Sequence, residues 1–86
     1  MRIKFSKQAE KEFYKLDKPI QKQLKKFIEK LTQLEDPRSR GKALTANLAG
    51  LHRYRVGKYR LVCKIIDSEL VILVVDIAHR KEIYDK

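Results

Sequence analysis

The chain reads as an α+β domain: an N-terminal strand, a helix hairpin, then a three-stranded antiparallel meander, with both helices on one face of a single curved sheet. Three observations predict this. The first five residues alternate apolar and basic side chains, residues 20–34 carry an apolar stripe at helical spacing, and residues 51–77 hold three runs rich in Val, Ile, Leu and Tyr. With strands and helices segregated along the chain, a layered α+β architecture follows. The 86 residues give room for one modest core, so a single domain over residues 1–86 is expected.

Ile3 and Phe5 alternate with Arg2 and Lys4, the period of a strand with one buried face. Ser6 ends the strand and can cap a helix predicted over residues 7–16, whose Ala9, Phe13 and Leu16 share a stripe. Asp17 can cap a second helix, with Pro19 tolerated in its first turn. Ile20, Leu24, Phe27, Ile28, Leu31 and Leu34 then form its apolar stripe. Its other face carries Lys22, Lys25, Lys26 and Lys30 with Glu29, first of all a solvated surface; Lys22, Lys25 and Lys26 are secondly candidate RNA or ribosome contacts.

Periodicity is lost from Glu35 to Gly50, where Pro37, Gly41, Asn47 and Gly50 predict a connecting loop. Arg38, Arg40 and Lys42 make this loop basic, suited to an RNA backbone or an acidic partner. Strands are predicted over 51–56, 59–67 and 70–77, joined by the two-residue links Gly57-Lys58 and Ser68-Glu69. Side chains alternate across a strand, so Arg53 and Arg55 share one face while His52, Tyr54 and Val56 share the other. If Arg60 aligns beside them, the helix-free face carries three guanidinium groups. Arginine suits such a place because its planar fork grips phosphate oxygens through two hydrogen bonds. His52 is expected to face the helices as a satisfied core histidine.

Twenty-one Lys and Arg against eleven Asp and Glu leave a formal charge of +10, a surface that wants a polyanion. Nucleic acid and an acidic protein both answer that description. The basic residues are scattered and do not flank an apolar segment, which argues against a membrane partner. No apolar segment follows Met1-Arg2-Ile3-Lys4, and no stretch approaches the length of a membrane span, so a cytoplasmic location is expected. The lone Cys63 excludes an internal disulfide and lies in an apolar run, the setting of a small buried hydrophobe. No cluster of His, Cys and carboxylates has metal-ligand spacing, and no metal or other cofactor is expected. The last residues, His79-Arg80-Lys81-Glu82-Ile83-Tyr84-Asp85-Lys86, hold a tyrosine that either anchors the tail with Ile83 or serves chemistry.

The segment Leu51-His52-Arg53-Tyr54-Arg55-Val56-Gly57-Lys58-Tyr59-Arg60-Leu61-Val62, followed by the apolar meander and by His79-Arg80-Lys81-Glu82-Ile83-Tyr84, resembles the RelE branch of the RelE/ParE toxin superfamily. The strand opening is common to that superfamily; the closing segment is more specific to its ribonuclease branch. The resemblance implies a bacterial or archaeal toxin of a type II toxin–antitoxin pair, neutralised by an acidic RelB-like antitoxin. It further implies a metal-independent endoribonuclease that enters the ribosomal A site and cuts messenger RNA by attack of the 2′-hydroxyl on the adjacent phosphate. Tyr84 then matches the family's catalytic tyrosine, and Arg80 and Arg60 its two site arginines. Arg53 and Arg55 fall where studied members carry lysine, which keeps charge and changes geometry. His79 is a competing acid or base because imidazole as a class changes charge near neutral pH. Two other functions are compatible with the same charge: a ParE-like gyrase inhibitor and a non-catalytic RNA-binding module.

Overall fold

The computed structural model describes residues 1–79. Strand β1 (Arg2–Phe5) leads into helices α1 (Lys7–Tyr14) and α2 (Lys18–Gln33). A two-residue strand β2 (Lys42–Ala43) precedes the meander β3 (Leu51–Val56), β4 (Tyr59–Ile66) and β5 (Val71–His79). The sheet has five strands in the order β1-β5-β4-β3-β2, with β1 parallel to β5 and the remaining pairs antiparallel.

Both helices present their apolar stripes to one face of the sheet. Ala9 and Phe13 of α1 and Leu24, Ile28 and Leu31 of α2 meet Tyr54, Val56, Leu61, Cys63, Ile72, Val74 and Ile77 in one continuous core. Ser6 Oγ accepts from the Ala9 N–H at 3.1 Å and so caps α1 as its position suggests. Asp17 precedes α2 but makes no side-chain capping bond; Gln21 Nε2 instead donates to the Leu16 carbonyl at 2.9 Å in the linker. Helix α1 also stops two residues before the predicted Leu16, which still packs against the core from the linker.

Three departures from the sequence expectation matter for function. First, residues 35–50 are more than a loop: they hold 3-10 turns at Pro37–Ser39 and Ala46–Leu48, and between them β2, which adds a fifth strand beside β3. Second, the β4–β5 link spans Asp67 to Leu70, not two residues, and Leu70 adopts φ +54°. Ser and Glu lack the turn chemistry for a two-residue hairpin, so the chain closes through a 3-10 turn. The Gly57-Lys58 hairpin does have two residues, with Gly57 at φ +59°.

Third, β5 carries a bulge. Val62 pairs with Asp76 but Cys63 pairs with Val74, so Val75 is the extra residue. The buried positions of β5 accordingly shift from Ile72 and Val74 to Ile77. Without that inserted residue Asp76 would face the helices and Ile77 would face water.

The 35–50 segment is tied to the core from β3. The buried Tyr54 hydroxyl donates to the Pro37 carbonyl at 2.7 Å, and His52 Nε2–H donates to the Arg40 carbonyl at 2.6 Å. Gly41, at φ +75°, passes so close that a Cβ there would lie 2.4 Å from the Arg53 carbonyl oxygen and 2.7 Å from Tyr54 Cδ1. Only glycine fits. Burial pushes the Tyr54 phenol up to about 12, so its proton stays in place as a donor. Replacing Tyr54 with Phe keeps the ring and strands a buried carbonyl, a loss of about 1–3 kcal/mol. Urea unfolding of Tyr54→Phe should show that loss as a lower midpoint at unchanged slope.

Candidate active site and cationic face

Strand register decides which cations share a surface. Cross-strand partners project to the same side, so Lys42, Arg53, Val62 and Asp76 form one row across β2, β3, β4 and β5 on the face away from the helices. Arg55, Arg60 and Ala78 form the next row, about 7 Å along the strands. The expected trio of Arg53, Arg55 and Arg60 thus lies on one face. A third row, Leu51, Lys64 and Leu73, lies on the other side of the first.

Arg55 and Arg60 stand directly opposite each other. Their Cβ atoms are then about 5 Å apart, close enough for both side chains to reach one ligand. Arg55 is exposed and Arg53 half-buried, while Arg60 is only 3% exposed. The sequence alone suggested solvent-facing arginines; the second row instead holds one cation in solvent and one sunk into the surface. A guanidinium stays ionised in either setting, so the face is cationic at every pH the protein meets.

His79 does not join this group. It pairs with Tyr59 on the helix side, ring centroids 5.2 Å apart in an edge-to-face contact, because Leu61 and Ile77 one step back face the helices. Its ring instead lines a hollow of about 420 Å³ with Glu12, Lys15, Leu16, Tyr59 and Ile77. His52 is buried and held by its bond to the Arg40 carbonyl. Cys63 is fully buried, and burial pushes its thiol up to about 12, which leaves it protonated and inert. Arg80 and Tyr84, the remaining candidates for chemistry, lie outside the described residues.

The other candidate cations are dispersed. Arg38 forms a bidentate pair with Asp67, at 3.0 and 2.7 Å, which holds the Asp67 carboxyl below the usual carboxylate range. The Arg40 guanidinium lies 5.8 Å from the centroid of the Phe27 ring. With Lys26 and Lys30 it lines a groove beside α2. Lys25 borders a separate cleft between the two helices, and Lys22 is exposed on α2. Of the predicted RNA or ribosome contacts only Lys42 stands in a row with the arginine trio.

One feature was not legible in the sequence. Glu12 of α1 accepts the Ile77 N–H at 3.0 Å, satisfying an edge amide of β5 beyond the end of β1. Its carboxyl is raised above the ordinary range, first by burial and then by the neighbouring Asp76 carboxylate. Among the described residues no group of three or more His, Cys, Asp and Glu is placed to hold a metal ion, and no helix is long and apolar enough to cross a membrane.

Comparison with known proteins gives this arrangement a context. Residues 3–84 match the family model described as the ParE toxin of the type II toxin–antitoxin system parDE. A RelE-like toxin protein of Escherichia coli is 34% identical over 84 residues, covering 92% of this chain and 82% of its own. In structure, the chain superposes on one from the toxin–antitoxin complex RelBE2 of Mycobacterium tuberculosis with a TM-score of 0.82 and 29% identity, covering 92% and 96% of the two chains. A chain of the archaeal RelE–RelB complex from Pyrococcus horikoshii gives 0.71 and 26%, covering 92% and 93%.

The carboxyl of Glu12 yields a pH prediction. A folded pKa above the unfolded one means that the protonated carboxyl favours the fold; this contribution is full below the unfolded pKa and is lost as pH rises through the folded value. Glu12→Gln keeps an acceptor for the Ile77 N–H and removes the charge facing Asp76. It should therefore melt higher than the parent at pH 7, with the difference vanishing in acid, in paired thermal unfolding scans.

Proposed function

Because the chain belongs to the ParE toxin family of type II toxin–antitoxin systems, within the RelE/ParE superfamily, we propose that it is a metal-independent endoribonuclease cutting messenger RNA in the ribosomal A site. The observation that carries this reading is the arginine trio: Arg53, Arg55 and Arg60 in adjacent rows of one sheet face, two of them directly opposed. Guanidinium groups placed in this way can hold one phosphate between them, since each fork grips its oxygens through two hydrogen bonds.

The reaction needs no group beyond the RNA and these side chains. Tyr84, its phenol acidified by the arginine field, takes the proton of the ribose 2′-hydroxyl. That oxygen attacks the adjacent phosphorus, and Arg53, Arg55 and Arg60 stabilise the charge that develops on the phosphorane oxygens. The bond to the 5′-oxygen breaks as Arg80 holds the phosphate and supplies the leaving oxygen with a proton. The products are a 2′,3′-cyclic phosphate and a free 5′-hydroxyl. Arg38, Arg40, Lys42, Lys22, Lys25 and Lys26 would contact RNA or ribosome outside this centre, and the location would be the cytoplasm, where message is translated. The partner in regulation is an acidic RelB-like antitoxin, matching the +10 charge and the toxin–antitoxin complexes in which two of the relatives were solved.

The matching family is described as the ParE toxin, which favours a second reading, the ParE-like gyrase inhibitor that the sequence also allows. Primer extension on a message translated in vitro separates the two. The nuclease produces new 5′ ends only on translated message, whereas a gyrase inhibitor leaves transcripts intact and traps cleaved DNA. On the proposed reading, Tyr84→Phe should lower cleavage by about 10²–10⁴-fold. Arg55→Ala should lower it by about 10²–10³-fold, with the far-ultraviolet circular dichroism of both variants unchanged. Full cleavage by either variant would remove the arginine-and-tyrosine mechanism.

A further inference from the structure

A second cationic site lies where helix α2 meets the 35–50 segment, away from the arginine trio. Lys26 and Lys30, one turn apart on α2, line a groove with Arg40 of the segment, beside Gln23, Phe27 and Val56. Two elements far apart in their origin thus bring three cations to one hollow. No carboxylate lines it, and among the described residues none of the three cations forms a salt bridge.

The groove is built as well as charged. Arg40 is fixed at both ends: its carbonyl accepts from His52 Nε2–H at 2.6 Å, and its guanidinium lies 5.8 Å from the centroid of the Phe27 ring. A guanidinium set against a ring still has its N–H edge for oxygens. Gln23 reaches the β3–β4 turn, where a Cβ on Gly57 would lie 3.0 Å from Gln23 Nε2, and adds an amide to the lining.

Size and charge together select the ligand. The volume of about 280 Å³ is just under the roughly 300–1,000 Å³ of sites that take organic molecules, so the occupant is compact. Coulomb attraction falls with distance and is screened by salt, so three cations around one groove act together only on charges that lie inside it. A nucleic-acid strand sets one charge on each phosphate and leaves most of them outside. A chain of linked phosphates brings several charges into the same space. We propose that this groove binds a condensed phosphate, the chain of a di- or triphosphate, and that the bound anion ties the 35–50 segment to α2. Lys26 and Arg40 are among the cations assigned above to RNA or ribosome, so the test sets a strand against the condensed anion.

The probe is inorganic tripolyphosphate, added to the full chain at a constant ionic strength of about 0.1 M and followed by two-dimensional amide NMR. The amides of Gln23, Lys26, Lys30 and Arg40 should shift to saturation, and the melting temperature should rise. Hydrogen exchange should slow at Leu44, whose N–H donates to the Leu51 carbonyl at 3.0 Å within the tied segment. Lys30→Ala and Arg40→Ala should each weaken the groove about tenfold, the lower range for a charge-assisted hydrogen bond. Arg40→Lys, which keeps the charge and loses the fork, should weaken it about threefold. Arg55→Ala, on the opposite face, should leave the groove's affinity unchanged. A nucleoside triphosphate should bind as tightly as tripolyphosphate, because Phe27 is half-buried and already set against Arg40 and Tyr54. Shifts confined to the arginine face, or affinity that survives both Lys30→Ala and Arg40→Ala, would overturn the site. Unchanged exchange at Leu44 would overturn the tie. A 2′-deoxyuridine hexanucleotide that takes the groove at lower phosphate concentration than tripolyphosphate would give it to a nucleic-acid backbone and overturn the ligand. None of these outcomes involves cleavage, and failure of the nuclease reading shows instead as uncut message in the primer-extension assay.

Discussion

The hydrogen bond from the Tyr54 hydroxyl to the Pro37 carbonyl is the constraint on which the functional face depends. Residues 35–50 have too few apolar side chains to hold themselves in place, and among them Pro37 alone is classed as buried. What fixes this segment is β3, whose helix-facing residues Tyr54 and His52 each donate to one of its carbonyls. The opposite face of the same strand carries Arg53 and Arg55. Six residues therefore anchor a basic segment on one side and aim guanidinium groups on the other, so displacement of the segment would carry Lys42, Leu44 and Leu48 away from the arginines. The close passage of Gly41 under Tyr54 leaves no room for a looser arrangement.

The bulge in β5 performs a comparable task at the other side of the site. A strict alternation through Val71–His79 would set Asp76 among the core residues, where an ionised carboxylate is costly. Inserting Val75 brings Ile77 into the core and turns Asp76 to the arginine face. Ser6 supports the distortion, since its N–H donates to the Val74 carbonyl and its hydroxyl to that of Val75. Beyond the end of β1, Glu12 takes over the edge by accepting from Ile77. The first helix is thus both a core element and a brace for the strand that leads toward Arg80 and Tyr84.

Much of this was legible in the residues. The stripe from Ile20 to Leu34 and the alternation in Leu51–Val56 are strong periodic signals, and they placed α2, β3 and the shared face of Arg53 and Arg55. The alignment of Arg60 was only conditional in the sequence; the two-residue Gly57-Lys58 link fixes the register of β3 against β4 and sets Arg60 opposite Arg55. The bulge was hidden because Val71-Ile72-Leu73-Val74-Val75 is apolar throughout, so the run shows no parity from which a shift is detected. Strand β2 was hidden for the opposite reason: two exposed residues carry no pattern, and their pairing with β3 is imposed by the anchored loop. The parallel pairing of β1 with β5 joins residues nearly seventy positions apart and has no local signature. His79 looked available for chemistry because it is an imidazole, yet its register with Tyr59 turns it to the helix side.

Net charge alone would suggest a uniformly cationic surface, and the structure divides it. Arg38 is engaged by Asp67 and Arg40 lies against Phe27, so these cations are held in defined positions by partners within the chain. The lysines of α2 stand on the helix layer, behind the sheet. What distinguishes the face of Arg53, Arg55 and Arg60 is that three cations share it, two of them opposed across a strand pair and one of those sunk into the surface. Solubility would be served by any exposed charges, and better by separated ones. Opposed forks that rest in the charged form favour a ligand with oxygens on several sides and more than one unit of negative charge, and a phosphorane in the act of transfer meets that description more fully than a phosphodiester at rest.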